Sequence, residues 1–154
     1  MTASWAPFGR PTEPEADPAP AEARSEPDLG PAPAFLPREP ARRLAVLTCM
    51  DSRVDPLRDL GLERGDAMVV RNAGAQVSDD VERSLRLARE RLGITEVWLM
   101  AHSDCAAHGG DDAAALAELR RGLLRLRGAL PGVSLRLLFF DFATGVVEQD
   151  EQRG

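Results

Sequence analysis

Leu44-Ala45-Val46-Leu47-Thr48-Cys49-Met50-Asp51-Ser52-Arg53 sets an apolar run directly before a thiol, a carboxylate and a guanidinium. Its apolar start, Leu44 to Leu47, reads as a short buried strand, with strand residues 44 to 48. Alternate residues of an extended chain share a side, so the spacing predicts Cys49, Asp51 and Arg53 together at the strand's end. A second apolar run, Val97-Trp98-Leu99-Met100-Ala101, leads into His102-Ser103-Asp104-Cys105. The chain has 2 cysteines, and they are Cys49 and Cys105. Two thiols, one imidazole and the carboxylate of Asp51 make a complete tetrahedral zinc set. The plainer alternative is a pair of reduced core cysteines beside an incidental histidine.

Between and after these clusters the pattern alternates strand with helix. Asp55-Pro56 opens a short helix to about Leu60, with Asp55 as cap and Pro in the first turn. Ala67 to Val70 reads as a second strand, followed by a tight turn at Asn72-Ala73-Gly74. Ser78 or Asp79 caps the next helix, and Asp79 with Glu82 has capping-box spacing. Val81, Leu85, Ala88 and Leu92 form its apolar stripe, and Gly93 ends it. Its arginines read as a solvated face, because Glu82 and Arg86 have the favourable i,i+4 order. Residues 96 to 101 are the third strand. A helix from 112 to about 129 carries Leu116, Leu119, Leu123, Leu126 and Leu130, and Pro131-Gly132 breaks it. Leu135 to Phe140 is a further strand, followed by a turn and a short tail. The expected class is α/β: a mostly parallel sheet with helices on both faces. Ligands of such sheets bind beyond the carboxyl ends of strands, at a switch in strand order. The two clusters therefore meet if the first and third strands are neighbours.

Cys49-x-Asp51-x-Arg53 followed by His102-x-x-Cys105 resembles the β-class carbonic anhydrases, in their small bacterial type. The likeness extends to Val70-Arg71-Asn72-Ala73-Gly74 and to Phe140-Asp141 with Ala143-Thr144-Gly145, and covers roughly residues 36 to 149. The resemblance implies the β-carbonic-anhydrase fold and a Zn2+ cofactor. It also implies reversible hydration of CO2 to bicarbonate and a proton, and assembly as a homodimer or higher homo-oligomer. Cys49, His102 and Cys105 are the implied ligands, and water or the Asp51 carboxylate takes the fourth position. With an open position, zinc lowers the pKa of water from 15.7 towards about 7. Arg53 can hold Asp51 away from the metal through a charge-assisted, bidentate pair, which leaves that carboxylate as a hydrogen-bond acceptor. The alternatives are hydrolysis of carbonyl sulfide or carbon disulfide at the same site, and a catalytically weak zinc-binding relative with a structural or regulatory role.

Other residues near the motif carry weaker expectations. Asp104 reads as a loop carboxylate. His108 reads as an exposed loop imidazole, with proton shuttling as the alternative. Two departures from the resembled pattern stand out. Ala106 follows the second cysteine where that family has glycine, and only one helix fits between Cys105 and Leu135.

Composition bounds the rest. A chain of 154 residues suits one compact domain. Residues 1 to 40 hold 10 of the 12 prolines and few large apolar groups, so they read as a disordered or loosely docked tail, with Trp5, Phe8 and Phe35 as candidate anchors. Residues 41 to 154 are then the zinc-binding catalytic domain. A net charge of −6 argues against a nucleic-acid partner. No apolar run is long enough to span a membrane, and no secretory leader is apparent. Free thiols suit a reducing compartment, so a cytoplasmic location is expected.

Overall fold

The computed structural model describes residues 35–149; the expectations for residues 1–34, Trp5 and Phe8 among them, lie outside that range. Phe35 is 85% exposed and anchors nothing. Five strands form one sheet: β1 (Leu44–Cys49), β2 (Ala67–Asn72), β3 (Glu96–His102), β4 (Ser134–Asp141) and β5 (Val146–Gln149). Three helices connect them: α1 (Pro56–Asp59), α2 (Asp79–Leu92) and α3 (Asp112–Ala129). The strand order is β2-β1-β3-β4-β5. The first four strands run parallel and β5 pairs antiparallel with β4. The expected α/β class is thus the observed one. The short tail expected after the final turn is instead the edge strand β5.

Every residue of β1 is buried, because helices or loops cover both faces of this inner strand. Its odd-numbered apolar residues, Ala45 and Leu47, pack with Val97, Leu99 and Leu137 against α2 and α3. On the other face Leu44 and Val46 meet Leu57 and Leu60, from α1 and the residue that closes it. Thr48, fully buried within β1, satisfies its hydroxyl by donating to the Met100 carbonyl at 3.1 Å. That bond ties β1 to β3 one residue before the first cysteine.

The helix ends follow their capping residues. Asp55 accepts from the Arg58 amide, Ser78 from that of Val81, and Asp111 from that of Ala114. Ser78, not Asp79, is therefore the cap of α2. The Asp79–Glu82 box does not form, because both carboxylates turn to Arg125 of α3. The expected Glu82–Arg86 pair does form. In α3 the buried stripe starts at Ala115, with Leu116 only half-buried. A small residue lets the helix's first turns approach the sheet closely.

The strand order places a switch between β1 and β3. The chain leaves β1 for β2 on one side, then returns past β1 to β3 on the other. Leu44 to Thr48 pair in register with Glu96 to Met100, so the carboxyl ends of these strands, Cys49 and His102, finish side by side.

Candidate metal centre

Cys49 and His102 close adjacent strands, and Cys105 returns on the loop after β3. Their ligating atoms lie within 4.8 Å of one another, and all three residues are buried. The two Sγ atoms are 3.9 Å apart and both thiols are free. His102 Nδ1 lies 2.8 Å from the Ser103 carbonyl oxygen. A carbonyl only accepts, so Nδ1 carries the proton and Nε2 presents a lone pair. That Nε2 is buried, and it is the one buried side-chain polar atom without a hydrogen-bond partner among the described residues. An orphaned imidazole nitrogen aimed at two sulfurs is costly unless an ion occupies the space between them. The donor set, two sulfurs and one nitrogen, suits a borderline-soft divalent metal.

The sulfurs have distinct surroundings. The Gly74 amide donates to Cys49 Sγ at 3.3 Å. Burial pushes the Cys105 thiol up; the Ala107 amide opposes this, and the neighbouring Cys49 sulfur reinforces it. Burial by itself favours the protonated thiol of Cys105, and a bound cation would reverse that preference.

Asp51 and Arg53 meet by a different geometry from the one expected. The strand ends at Cys49, and residues 52–53 form a turn, so strand alternation does not bring the pair together. The Arg53 amide instead donates back to Asp51 Oδ1 at 2.9 Å, closing a tight Asx turn. The guanidinium then adds a fork: Nε to Oδ1 at 3.0 Å and Nη2 to Oδ2 at 2.8 Å. This contact holds the Asp51 carboxyl well below the usual carboxylate range, aided by the Arg53 amide. It also raises the Arg53 guanidinium further above its ordinary value. Oδ2 of Asp51 stands 4.0 Å from His102 Nε2. The carboxylate is thus within reach of the centre, with both oxygens engaged elsewhere.

Several contributors were not apparent in the sequence. Asp104 is no idle loop carboxylate: its Oδ2 and carbonyl oxygen accept from Arg53 Nη1 and Nη2 at 2.9 and 3.1 Å. Phe142 lies under the Arg53 guanidinium, 4.3 Å from ring centroid to Cζ, and its centroid is 4.9 Å from that of His102. Its amide donates to Ser103 Oγ at 2.9 Å, which fixes the turn after β4 over the centre. Arg71, on β2, donates to the carbonyls of Cys49 and Asp51 at 3.0 and 2.8 Å, so it braces the loop between them. The available signal was its place in Val70-Arg71-Asn72-Ala73-Gly74, directly after the expected second strand. His108 is half-buried, not exposed as expected, and its Nε2 lies 3.3 Å from the Gly74 carbonyl. Ala106, in place of glycine, opens a 3-10 turn over Ala106–His108 with no positive φ of its own.

Comparisons with known proteins agree with this geometry. The carbonic anhydrase family model matches residues 44–125, over half of the chain. Beta-carbonic anhydrase 1 of Mycobacterium tuberculosis is 47% identical over 70 residues, covering 46% of this chain and 43% of that protein. The carbon disulfide hydrolase of an Acidianus strain is 47% identical over 64 residues, covering 42% of this chain and 31% of the hydrolase. The matched stretch therefore spans less than half the length of these curated relatives. Among solved structures, the carbonic anhydrase of Streptococcus mutans superposes with a TM-score of 0.71 at 31% identity, covering 79% of this chain and 88% of that one. Sequence, fold and site geometry converge: the chain belongs to the β-class carbonic anhydrase family.

Proposed function

We propose that this chain binds zinc through Cys49, His102 and Cys105 and interconverts CO2 and bicarbonate. The observation that carries the proposal is the unpartnered His102 Nε2 facing two sulfurs, with Asp51 4.0 Å away but held by Arg53. Zinc, when bound there, supplies Lewis acidity that makes water nucleophilic near neutral pH.

The protein's own groups do the rest. Arg53 takes both carboxylate oxygens of Asp51 and so keeps that group from becoming a fourth ligand. Each carboxylate oxygen has two lone pairs. Oδ2, the oxygen nearer His102, therefore keeps one for a hydrogen from a water beside the centre. Accepting that hydrogen turns the water's free lone pair towards the carbon of CO2; as the C–O bond forms, one C=O electron pair moves onto its oxygen, and the proton lost by the water passes to the surrounding solvent. Asp51 is too acidic to keep a proton at working pH, so it orients rather than titrates. Phe142 packs against the His102 ring and the Arg53 guanidinium and so steadies both beside the centre. His108 is assigned to holding the Gly74 turn rather than to proton transfer, because its Nε2 is engaged there.

Carbon disulfide hydrolysis is the second reading, favoured by the Acidianus relative. Stopped-flow assays on the zinc-loaded full chain separate the two by offering CO2, carbonyl sulfide and carbon disulfide in parallel. CO2 hydration well above the buffer rate supports the proposal. Turnover of carbon disulfide alone transfers the site to the second reading, and no turnover of any of them leaves a zinc-binding relative without this activity.

We also propose a homo-oligomer and a cytoplasmic location. Val69 is 38% exposed and Trp98 only half-buried on the sheet face that the four-residue α1 covers, which supports a partner subunit there. The free thiols at Cys49 and Cys105 support a reducing compartment. No helix among the described residues is long and apolar enough to cross a membrane.

A further inference from the structure

We propose that Asp104 is a positioning residue that fixes the orientation of Arg53 and, through it, of Asp51. The inference rests on the reading of Asp51 and Arg53 given above. A fork with one carboxylate holds one edge of a guanidinium and leaves the opposite edge to solvent. Here the opposite edge is held as well: Nη1 donates to Asp104 Oδ2 at 2.9 Å and Nη2 to the Asp104 carbonyl oxygen at 3.1 Å. The Phe142 ring closes one face at 4.3 Å. The Arg53 head is thus fixed on two edges and a face, although its side chain is 48% exposed.

The loop is built to present Asp104 in this way. Its backbone lies in the left-handed region, φ 53°, where few residues other than glycine, asparagine and aspartate settle. Its amide donates to Asp112 Oδ1 at 2.9 Å, in the first turn of α3. The chain of contacts therefore runs from α3 through Asp112 and Asp104 to Arg53 and Asp51. A loop carboxylate with no role needs neither a strained backbone nor a tether to a helix. Because Asp104 directly precedes the metal-ligating Cys105, the same loop sets both a ligand and the residue that restrains the gate.

The test uses the full chain, with Asp104→Gly and Asp104→Asn. Glycine removes the side chain while tolerating the positive φ, and asparagine keeps both that φ and an acceptor for Nη1. The readout is hydrogen exchange and line shape of the Arg53 Nε–H in 15N NMR, with CO2 turnover beside it. A merely structural role for Asp104 would change backbone exchange broadly without singling out this proton. The expected result is about tenfold faster Arg53 Nε–H exchange in Asp104→Gly, with a parallel fall in turnover, and recovery of most of both in Asp104→Asn. Should Asp104→Gly fail to fold, Asp112→Ala serves instead, with a smaller acceleration expected because it frees only the Asp104 amide.

Wild-type exchange and turnover in whichever of these variants folds would overturn the proposal. Arg53→Ala separates the two levels. If it keeps normal turnover, the Asp51–Arg53 gate is wrong and this inference falls with it. If it loses turnover while Asp104→Gly behaves as wild type, only the role of Asp104 is wrong.

Discussion

Replacing Gly74 by alanine should damage the protein in two separable ways, and Gly93 supplies the control. Both glycines lie in the left-handed region, at φ 72° and 68°. At Gly93 an added Cβ meets nothing within 4 Å, so Gly93→Ala isolates the backbone cost. That cost is about 1–2 kcal/mol for an L-residue held there. At Gly74 the same Cβ would lie 2.7 Å from His108 Nε2 and 3.0 Å from Ala107 Cβ. His108 can rotate away, at the loss of its contact with the Gly74 carbonyl. Ala107 can yield only if the 3-10 turn moves, and that turn begins directly after Cys105. Overpacking of this kind adds about 1–3 kcal/mol, so Gly74→Ala should cost about 2–5 kcal/mol in total. The Gly74 amide also donates to Cys49 Sγ, so the displacement should weaken metal retention as well. Urea unfolding of both variants at pH 7.5 reads the stability difference, and competition with a chromogenic chelator reads metal retention. Gly74→Ala/His108→Ala should recover part of the steric loss and none of the backbone loss. Equal destabilisation by Gly74→Ala and Gly93→Ala, with unchanged metal retention, would show that no steric contact at Gly74 supports the 3-10 turn.

Arg53→Ala should retain zinc but lower CO2 turnover about 100-fold, because Asp51 is freed to become a ligand and no longer orients water; turnover and metal content measured on one preparation check this. Acid stability should depend on Glu82, whose carboxyl is held below its ordinary value of 4.5 by Arg125 and then Arg86. A depressed folded pKa stabilises in full above the unfolded value and is lost as pH falls through the folded one. Glu82→Gln should therefore be less stable than wild type at pH 7 and converge with it on acidification, as read by urea midpoints from pH 7 to 3. Deletion of residues 1 to 30 should leave fold and zinc content intact, a result checked by circular dichroism and elemental analysis. Loss of zinc or precipitation would make that segment a structural arm.

Two of the three metal-binding candidates, Cys49 and His102, could be read from the sequence because they close strands, and Cys105 follows in the loop after β3. Apolar runs locate β1 and β3, so a cysteine or histidine at the end of such a run emerges at the carboxyl end of its strand. That these strands are neighbours was a condition the sequence left open, and the observed strand order meets it. The parts that stayed hidden depend on long-range contacts or unusual backbone. Phe142 reaches His102 and Arg53 only because β4 lies beside β3. Asp104 reaches Arg53 through a positive φ that its own side chain disguises as an ordinary loop position. The Asp51–Arg53 pair was expected, but for the wrong reason: an Asx turn brings the two together where strand alternation had been expected to. β5 escaped notice because a four-residue edge strand owes its existence to pairing with β4 rather than to its own pattern. The stripe of α3 was misjudged at its start because leucine marks apolarity, whereas close approach to the sheet selects the smaller Ala115.

On the proposal above, Cys49, His102 and Cys105 form a zinc centre from which Arg53 withholds Asp51. X-ray absorption at the zinc edge, on the zinc-loaded full chain and on Cys105→Ser, reads that ligand set. The expected result is a single zinc per chain with two sulfurs and an imidazole nitrogen around it, one sulfur fewer in Cys105→Ser. A chain that takes up no zinc, or a zinc shell without sulfur, would contradict it.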